Sequence, residues 1–557
     1  MKPAELFHAS SVMALGTILS RITGFIRSIL AVAVLGTALL ADTYNVAYTL
    51  PYILYNLLVG GALTAIFVPQ LIRSFGDKDG GHAFASRLVT TISAILLLLV
   101  AIGVIFAPTL VRIYAPEFSN NGFETEFRLA VAFTRYCLPQ IFFLGLFTML
   151  GQVANSRGSF APLMWAPIAN NLVVIVIFTL VLITSPNLAL GNISSTQTQI
   201  LGWGTTLGVV IQALILIPVV KRTGIVLRPK LGWQGLGKSF SLAGWTLIYV
   251  LISQLGYLVT VNVSTSAAVR SSQEGLATGV GYTPFSNAYL IMMLPYSIIT
   301  ISLITALLPH LSKLAIEKKP QEVRDQLIRA IKMVGVVTIP SSVAFFFFGP
   351  IITKVLFVGI DYKDSTYIGY VLSALGIGLV TFSINLILIR GFNAFEDTRT
   401  QVVSILLINL ISVGLSYLFL NSFPSEWITI GLGFAFSISY ILGLFVTLAL
   451  LGRHTGKISI RDFFGQHFKL YVASLFAMAP LFLISQYFGW AESDSSSLAR
   501  AAELALVLIF TPILYFFIAR KMKVDEISIT VDLVKIQFAR ATKSRRKRVI
   551  GEGNNQT

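Results

Sequence analysis

The sequence predicts an all-α polytopic membrane protein of about 14 transmembrane helices, two six-helix lobes followed by two C-terminal helices. Three observations carry this. The 557-residue chain is 55% hydrophobic and 12% charged, with a mean hydropathy of +0.80, whereas soluble domains are about a quarter charged. Apolar runs of about 20 residues, enough to cross roughly 30 Å of hydrocarbon as helix, recur along almost the whole chain. Segments of the first half also recur in the second.

Breaking the apolar runs at charge, Gly and Pro clusters predicts spans near 10–36, 42–72, 87–110, 129–154, 161–185 and 199–220. Six more follow near 240–266, 281–311, 331–356, 366–390, 401–420 and 428–451, and two near 469–488 and 500–519. No cleavage-site pattern follows the first apolar run, so it reads as a retained helix and not a signal peptide.

Lys and Arg set the orientation, because positive loops stay cytoplasmic. Even-numbered loops hold clusters such as Lys221, Arg222, Arg228 and Lys230, or Lys313, Lys318, Lys319 and Arg324. Odd loops hold only Arg112, Arg128, Arg270, Lys354, Lys363 and Arg500. Both termini are therefore expected in the cytoplasm. Most of the +17 net charge falls on that side, so a basic patch gives no support to nucleic-acid binding. The tail KSRRKR (543–548) follows Val524, Ile527, Val531, Val534 and Phe538 at helical spacing, which suits an amphipathic helix on anionic lipid or ordinary positive-inside retention.

GWQGLGKS (232–239) matches the Walker A pattern GxxxxGK[ST]. A working P-loop joins a buried strand to a helix in a soluble parallel sheet, with a second acidic segment for magnesium. Here the motif lies in a short loop and runs into an apolar helix, so it reads as a loop with Lys238 as an anchor. No ATP site and no cofactor are expected. The five histidines belong to no HExxH or nucleophile elbow, and DKDGGH (77–82) lacks the downstream glutamate of a calcium loop and reads as a solvated turn. Glu117, Glu124, Glu126, Asp361 and Asp364 in the outer loops show no pairing suited to catalysis. The single cysteine, Cys137, sits in an apolar run and reads as a buried structural thiol. The chain is not expected to be an enzyme.

LPY at 50–52 recurs at 294–296, a repeat of about 240 residues. TAIFVPQL (64–71) pairs with TALLPHL (305–311), APTLVRIY (107–114) with GPIITKVL (349–356), and NSRGSFAPLMWAPIANN (155–171) with NAFEDTRTQVVSILLIN (393–409). An even number of helices per repeat gives both the same orientation, related by an axis along the membrane normal. The expected units are an N-lobe (1–230), a C-lobe (231–455), helices 13–14 (456–520) and a basic tail (521–557). Two such lobes rocking about a central cavity describe a carrier.

The first span, ALGTILSRITGFIRSILAV (14–32), contains Arg21 and Arg27, each costing about 2.5–3.5 kcal/mol at mid-membrane. Thr17, Ser20, Arg21, Gly24, Arg27 and Ser28 share one helical stripe, with the arginines about 60° to either side of Gly24. They can face one aqueous cavity, Gly24 leaving room for a ligand. Guanidinium forks match phosphate oxygens, which suggests an anionic, phosphate-bearing substrate. The alternative is that Arg27 snorkels or pairs with Asp42.

SRITGFIRSILAVAVLGTALLADTYNVAYTLPY (20–52) resembles the N-terminal signature of the MurJ (MviN) family of lipid II flippases. The resemblance continues through ALTAIFVPQL, NSRGSFAPLMWAPIANN, LLPHLSK and FNAFEDTRTQ, over roughly residues 9–520. It implies a fold related to multidrug and polysaccharide exporters and a groove between helices 13 and 14 for an undecaprenyl tail. It also implies that Arg21, Arg27 and Asp42 are functional, the arginines binding the pyrophosphate of an undecaprenyl-linked sugar-peptide lipid. Many members carry an Arg-Arg pair in the second helix and an arginine in the eighth. Here Tyr55 and Asn56, followed by Gly60, and Leu290 stand there instead, implying a less cationic cavity in which Tyr55, Asn56, Tyr289 and Asn262 are neutral donors or polar packing between helices.

The expected function is thus to move a lipid-linked peptidoglycan precursor to the outer leaflet of the bacterial plasma membrane by alternating access. Membrane potential, worth about 2.3 kcal/mol per charge per 100 mV, or an ion gradient would drive it. The alternative is an ion-coupled multidrug or polysaccharide exporter, which for organic cations needs an acidic residue deep in a lobe. A scaffold for cell-wall synthesis proteins, using the basic tail, is a third reading.

Overall fold

The computed structural model describes residues 3–57, 71–232, 244–276, 279–490, 497–524 and 526–527. Most of the Walker-like motif, the repeat segment 64–70 with Gly60, and the tail beyond residue 527 lie outside the described residues, and so do Val531, Val534 and Phe538. Gly232, at the head of the motif, exchanges hydrogen bonds of 3.2 Å with the Thr91 hydroxyl through both its N–H and its carbonyl.

Twelve described helices are long and apolar enough to cross a membrane. The two predicted spans outside that number are the second and the eighth, which carry the repeated LPY. Helix α2 (Leu39–Tyr55) continues into π-type turns at residues 56–57. The eighth span divides into α11 (Tyr282–Pro295), a π-turn at Tyr296–Thr300 and α12 (Ile301–Ile316). A π-turn straight after Pro295 follows from proline's missing N–H and its clash with the preceding turn.

The remaining elements, in order, are α1 (Pro3–Leu35) before α2, then α3 (His82–Ile105), α4 (Ala107–Tyr114), α5 (Glu124–Cys137), α6 (Gln140–Ser156), α7 (Ala161–Thr184), α8 (Ser195–Leu214), α9 (Leu216–Arg222) and α10 (Gly244–Gln273). After α12 come α13 (Pro320–Leu356), α14 (Tyr362–Ala394), α15 (Thr398–Ser422), α16 (Ser425–Thr455), α17 (Arg461–Tyr487) and α18 (Ser497–Lys521). The fourth predicted span is α5 plus α6, parted at Pro139. Several helices outrun the predicted spans, α13 by a full polar turn and more, because charged residues end the hydrocarbon crossing but not the backbone ladder. Capping fixes the true starts: Asp361 accepts from the Lys363 amide at 2.8 Å to open α14, and Ser194 with Gln197 forms a capping box on α8.

Packing sorts these helices into two groups. In the first, α1 lies on α7, α7 on α8, α2 on α5 and α3 on α6; in the second, α13 lies on α14, α14 and α15 on α16, and α10 on α15. Helices α17 and α18 pack on each other and on α13. Small residues permit a close crossing of α13 and α14, where a Cβ on Gly369 would stand 2.3 Å from Pro350 Cα and one on Gly349 would stand 2.4 Å from the Gly369 carbonyl. Cys137 is buried and free.

DKDGGH is a cap. Asp79 accepts from the Gly81 amide at 3.1 Å and the Ala83 amide at 2.6 Å at the start of α3. Those donors hold its carboxyl below the ordinary range.

Candidate functional site

A cavity of about 600 Å³ opens between the groups, lined mainly by α1, α2, α7 and α11. All six residues of the α1 stripe line it: Thr17, Ser20, Arg21, Gly24, Arg27 and Ser28. No carboxylate among the described residues does. The stripe is pinned from behind by Asn171 of α7, whose amide donates to the Ser20 carbonyl and the Thr23 hydroxyl, both at 3.0 Å. A Cβ on Gly24 would stand 3.4 Å from that amide, so the glycine serves helix packing as well as cavity space.

Arg27 does not pair with Asp42. Its guanidinium lies over the Tyr48 ring, 5.2 Å from the centroid. Tyr48 belongs to a ladder on α2: Tyr44 stacks on Tyr48 with centroids 6.0 Å apart, and Tyr48 meets Tyr52 at 5.2 Å. All three line the cavity. Sequence reasoning missed this wall, although the spacing of four in Tyr44, Tyr48 and Tyr52 is its signal. Ser28, beside Arg27, donates to Asn287 of α11 at 2.6 Å.

Asp42 has a functional role implied by the resemblance, which groups it with the substrate-binding arginines. It is fully buried and absent from the cavity wall in this conformation. Its carboxylate caps α11 from the opposite group, accepting from the Tyr282 amide at 2.9 Å, the Thr283 amide at 2.7 Å and the Thr283 hydroxyl at 2.5 Å. The physical reason is local: the N-cap of α11 is Gly281, which has no side chain to satisfy the first-turn amides. A Cβ there would lie 2.1 Å from Asp42 Oδ2. Nearby, Asn45 donates to the Thr283 hydroxyl at 2.9 Å, Thr37 to Asp364 at 2.6 Å, and the Gly279 amide to Asp364 at 2.8 Å. These bonds latch one end of the two groups together.

A second cavity of about 450 Å³ adjoins the first, sharing Thr49, Tyr52 and Tyr257 with it. Its other walls include Tyr249, Tyr289, Tyr440, Gln254 and Asn409, and among the described residues no charged side chain. Asn56 and Tyr289 face it. Tyr55 lines neither cavity, and of its two expected roles the polar packing between helices is the one seen here, its hydroxyl bonded to Thr148 of α6. Asn262 and the exposed Arg135 also lie off both walls, while Leu290 lines the first.

With this geometry, the comparisons decide the family. The family model "Lipid II flippase MurJ" matches residues 31–499. The chain belongs to the MurJ family. A lipid II flippase MurJ of Burkholderia cenocepacia is 27% identical over 525 residues, 92% of this chain and 96% of its own. A probable MurJ of Rhizobium meliloti is 25% identical over 90% of this chain and 91% of its own. Among solved structures, a lipid II flippase MurJ in an inward closed conformation superposes with a TM-score of 0.70 at 20% identity, over 92% of this chain and 99% of that one. An inward-facing MATE multidrug transporter of the MOP superfamily gives 0.60 at 14% identity, over 79% and 96%. The MurJ-family fold is thus shared with the multidrug exporters, and the chain is a multi-pass membrane protein.

Proposed function

We propose that this MurJ-family protein is a lipid II flippase, a transporter and not an enzyme, moving its substrate from the cytoplasmic to the outer leaflet of the bacterial inner membrane. The observation that carries the reading is the stripe of Arg21, Gly24 and Arg27 on a cavity wall with no carboxylate among the described residues. Guanidinium groups in such a site call for an anion, and a pyrophosphate supplies one. The fold alone also fits an exporter of organic cations, but a cavity without acids disfavours it.

Positive-inside orientation supports cytoplasmic termini and puts the Asp42 latch at the outer end. In that orientation the cavity is closed to the outside, one state of an alternating-access cycle. A membrane potential or ion gradient would drive the cycle without ATP. Anionic lipids at the basic tail and cell-wall synthesis proteins are the further partners of this reading.

The test is replacement in a bacterium whose own lipid II flippase can be shut off, following lipid II in the outer leaflet. Restored translocation supports the reading. Correct membrane insertion with lipid II confined to the inner leaflet, in a host whose precursor the wild type binds, overturns it.

A further inference from the structure

The chain passes from the first group of helices to the second through a linker between α9 and α10, described as far as Gly232. That linker does not leave the helices. The amides of Val226, Arg228 and Lys230 donate to His82 Nδ1 at 3.0 Å, the Ser86 hydroxyl at 3.0 Å and the Thr90 hydroxyl at 3.2 Å, in order along α3. The match is geometric: four helical residues rise about 6 Å, close to the roughly 6.6 Å spanned by two extended ones. With the Gly232 pair on Thr91, the linker is strapped along α3 from its first turn inward.

The strap closes a cavity of about 460 Å³. Val89 of α3, Leu146 and Leu150 of α6 and Val220 of α9 make its walls, and Ile225 and Leu227 of the linker make its roof. Among the described residues its one charged lining residue is Lys221, which is exposed. Across Val226, a polar cavity of about 390 Å³ carries His82, Arg228 and Lys230. The acid there, Asp79, is already taken up by the Gly81 and Ala83 amides. Residues 221–232 thus offer four cations, Lys221, Arg222, Arg228 and Lys230, and no acid of their own.

In the orientation proposed above, these residues stand where three spans meet the cytoplasmic leaflet. An apolar cavity excludes water, and this one falls within the about 300–1,000 Å³ that holds small ligands. Cations at headgroup level attract anionic lipid. Apolar walls with cations at the rim are the complement of an amphiphile: a free anion leaves the walls uncovered, and a neutral lipid leaves the cations unmet.

We propose that this pocket under the interlobe linker binds an anionic glycerophospholipid of the cytoplasmic leaflet, with one acyl chain in the apolar cavity and its phosphate on Lys221. Arg228 and Lys230, across Val226, add to the attraction. The pocket shares no lining residue with either interlobe cavity, so the inference does not rest on what the protein transports.

The experiment titrates the full chain in detergent with dioleoyl phosphatidylglycerol, dioleoyl phosphatidylcholine and the chain-free glycerophosphoglycerol, reading occupancy by native mass spectrometry. The wild type should prefer phosphatidylglycerol to both other probes. Lys221→Gln is expected to weaken it about fivefold and leave phosphatidylcholine unchanged. Ile217→Trp, which fills the cavity, should weaken both lipids; if that variant does not fold, Leu146→Phe is measured in its place. Phosphatidylglycerol should also slow amide hydrogen exchange across residues 225–231, which a lipid on the basic tail would not do. Lys313→Gln, in another cytoplasmic cluster, should change nothing. Equal losses in Lys221→Gln and Lys313→Gln would reduce the effect to general attraction by the basic face and overturn the proposal. Wild-type phosphatidylglycerol affinity in Lys221→Gln or in the cavity-filling variant overturns it too, as does glycerophosphoglycerol binding as tightly as the intact lipid.

Discussion

Asp42 and Thr283 are joined twice, through the main-chain amide at 2.7 Å and the hydroxyl at 2.5 Å, although 241 residues separate them. With the Tyr282 amide, they make a helix cap whose carboxylate comes from one lobe and whose helix comes from the other. Hydrogen bonds to an ionised acceptor are worth about 1.5–3 kcal/mol each when buried. Asp42→Asn puts an amide where an acceptor is needed, so the latch should open. Spin labels at residues 36 and 358 would report it as a new population at longer distance, with translocation reduced. An unchanged distance distribution would show that the latch does not hold this end closed.

Gly281 and Gly24 make opposite predictions. Alanine at Gly281 brings Cβ to 2.1 Å from Asp42 Oδ2, whereas at Gly24 the nearest atom, Asn171 Nδ2, is 3.4 Å away. Gly281→Ala should lower thermal stability in detergent and reproduce the open population of Asp42→Asn. Gly24→Ala should fold normally, with at most a few-fold change in transport. Equal stability for the two would contradict the close approach.

Arg27 over Tyr48 is a cation–π contact with its charge still free for a ligand. Tyr48→Phe keeps the ring and should retain translocation. Tyr48→Ala should lose about 0.5–2 kcal/mol of arginine positioning, read as weaker substrate binding. Arg27→Ala should abolish translocation in the replacement assay. Full activity in that variant would move the anion site elsewhere.

Tyr55 tests the packing assignment. Its hydroxyl meets Thr148 within the first lobe, so Tyr55→Phe should cost about 1 kcal/mol of stability and leave substrate affinity unchanged. A selective loss of affinity would return it to the site.

A pH dependence follows from Asp397. Partial burial acts to raise its carboxyl, but hydrogen bonds from Thr400 and His454 outweigh this and hold it below the ordinary range. The Thr400 amide, at 3.0 Å, is capped at the start of α15, and His454 Nε2 lies 2.7 Å away at the end of α16. A lowered carboxyl pKa gives stability that is complete above the unfolded value, near 4, and fades as pH falls through the folded one. Asp397→Ala should therefore be less stable at neutral pH by about 1 kcal/mol. Its melting temperature should converge on that of the wild type below about pH 4. A constant gap down to pH 3 would contradict the assignment.

Hydropathy made the membrane class and twelve of the spans legible, because lipid obliges the backbone to close its hydrogen bonds within each helix. The arginine stripe was legible for the same reason: helical periodicity sets which residues of α1 share a face, and the cost of charge in hydrocarbon says that face must be compensated. The tyrosine ladder of α2 was present as a spacing of four but carried no charge to draw attention to it. Asp42 could not be assigned by sequence, since its partners Tyr282 and Thr283 lie in the other lobe and only chain packing brings a carboxylate to a helix start that lacks its own cap. Periodicity fixes direction about one helix axis; the tertiary structure decides what stands opposite, and with it whether a buried charge is already satisfied or awaits a ligand.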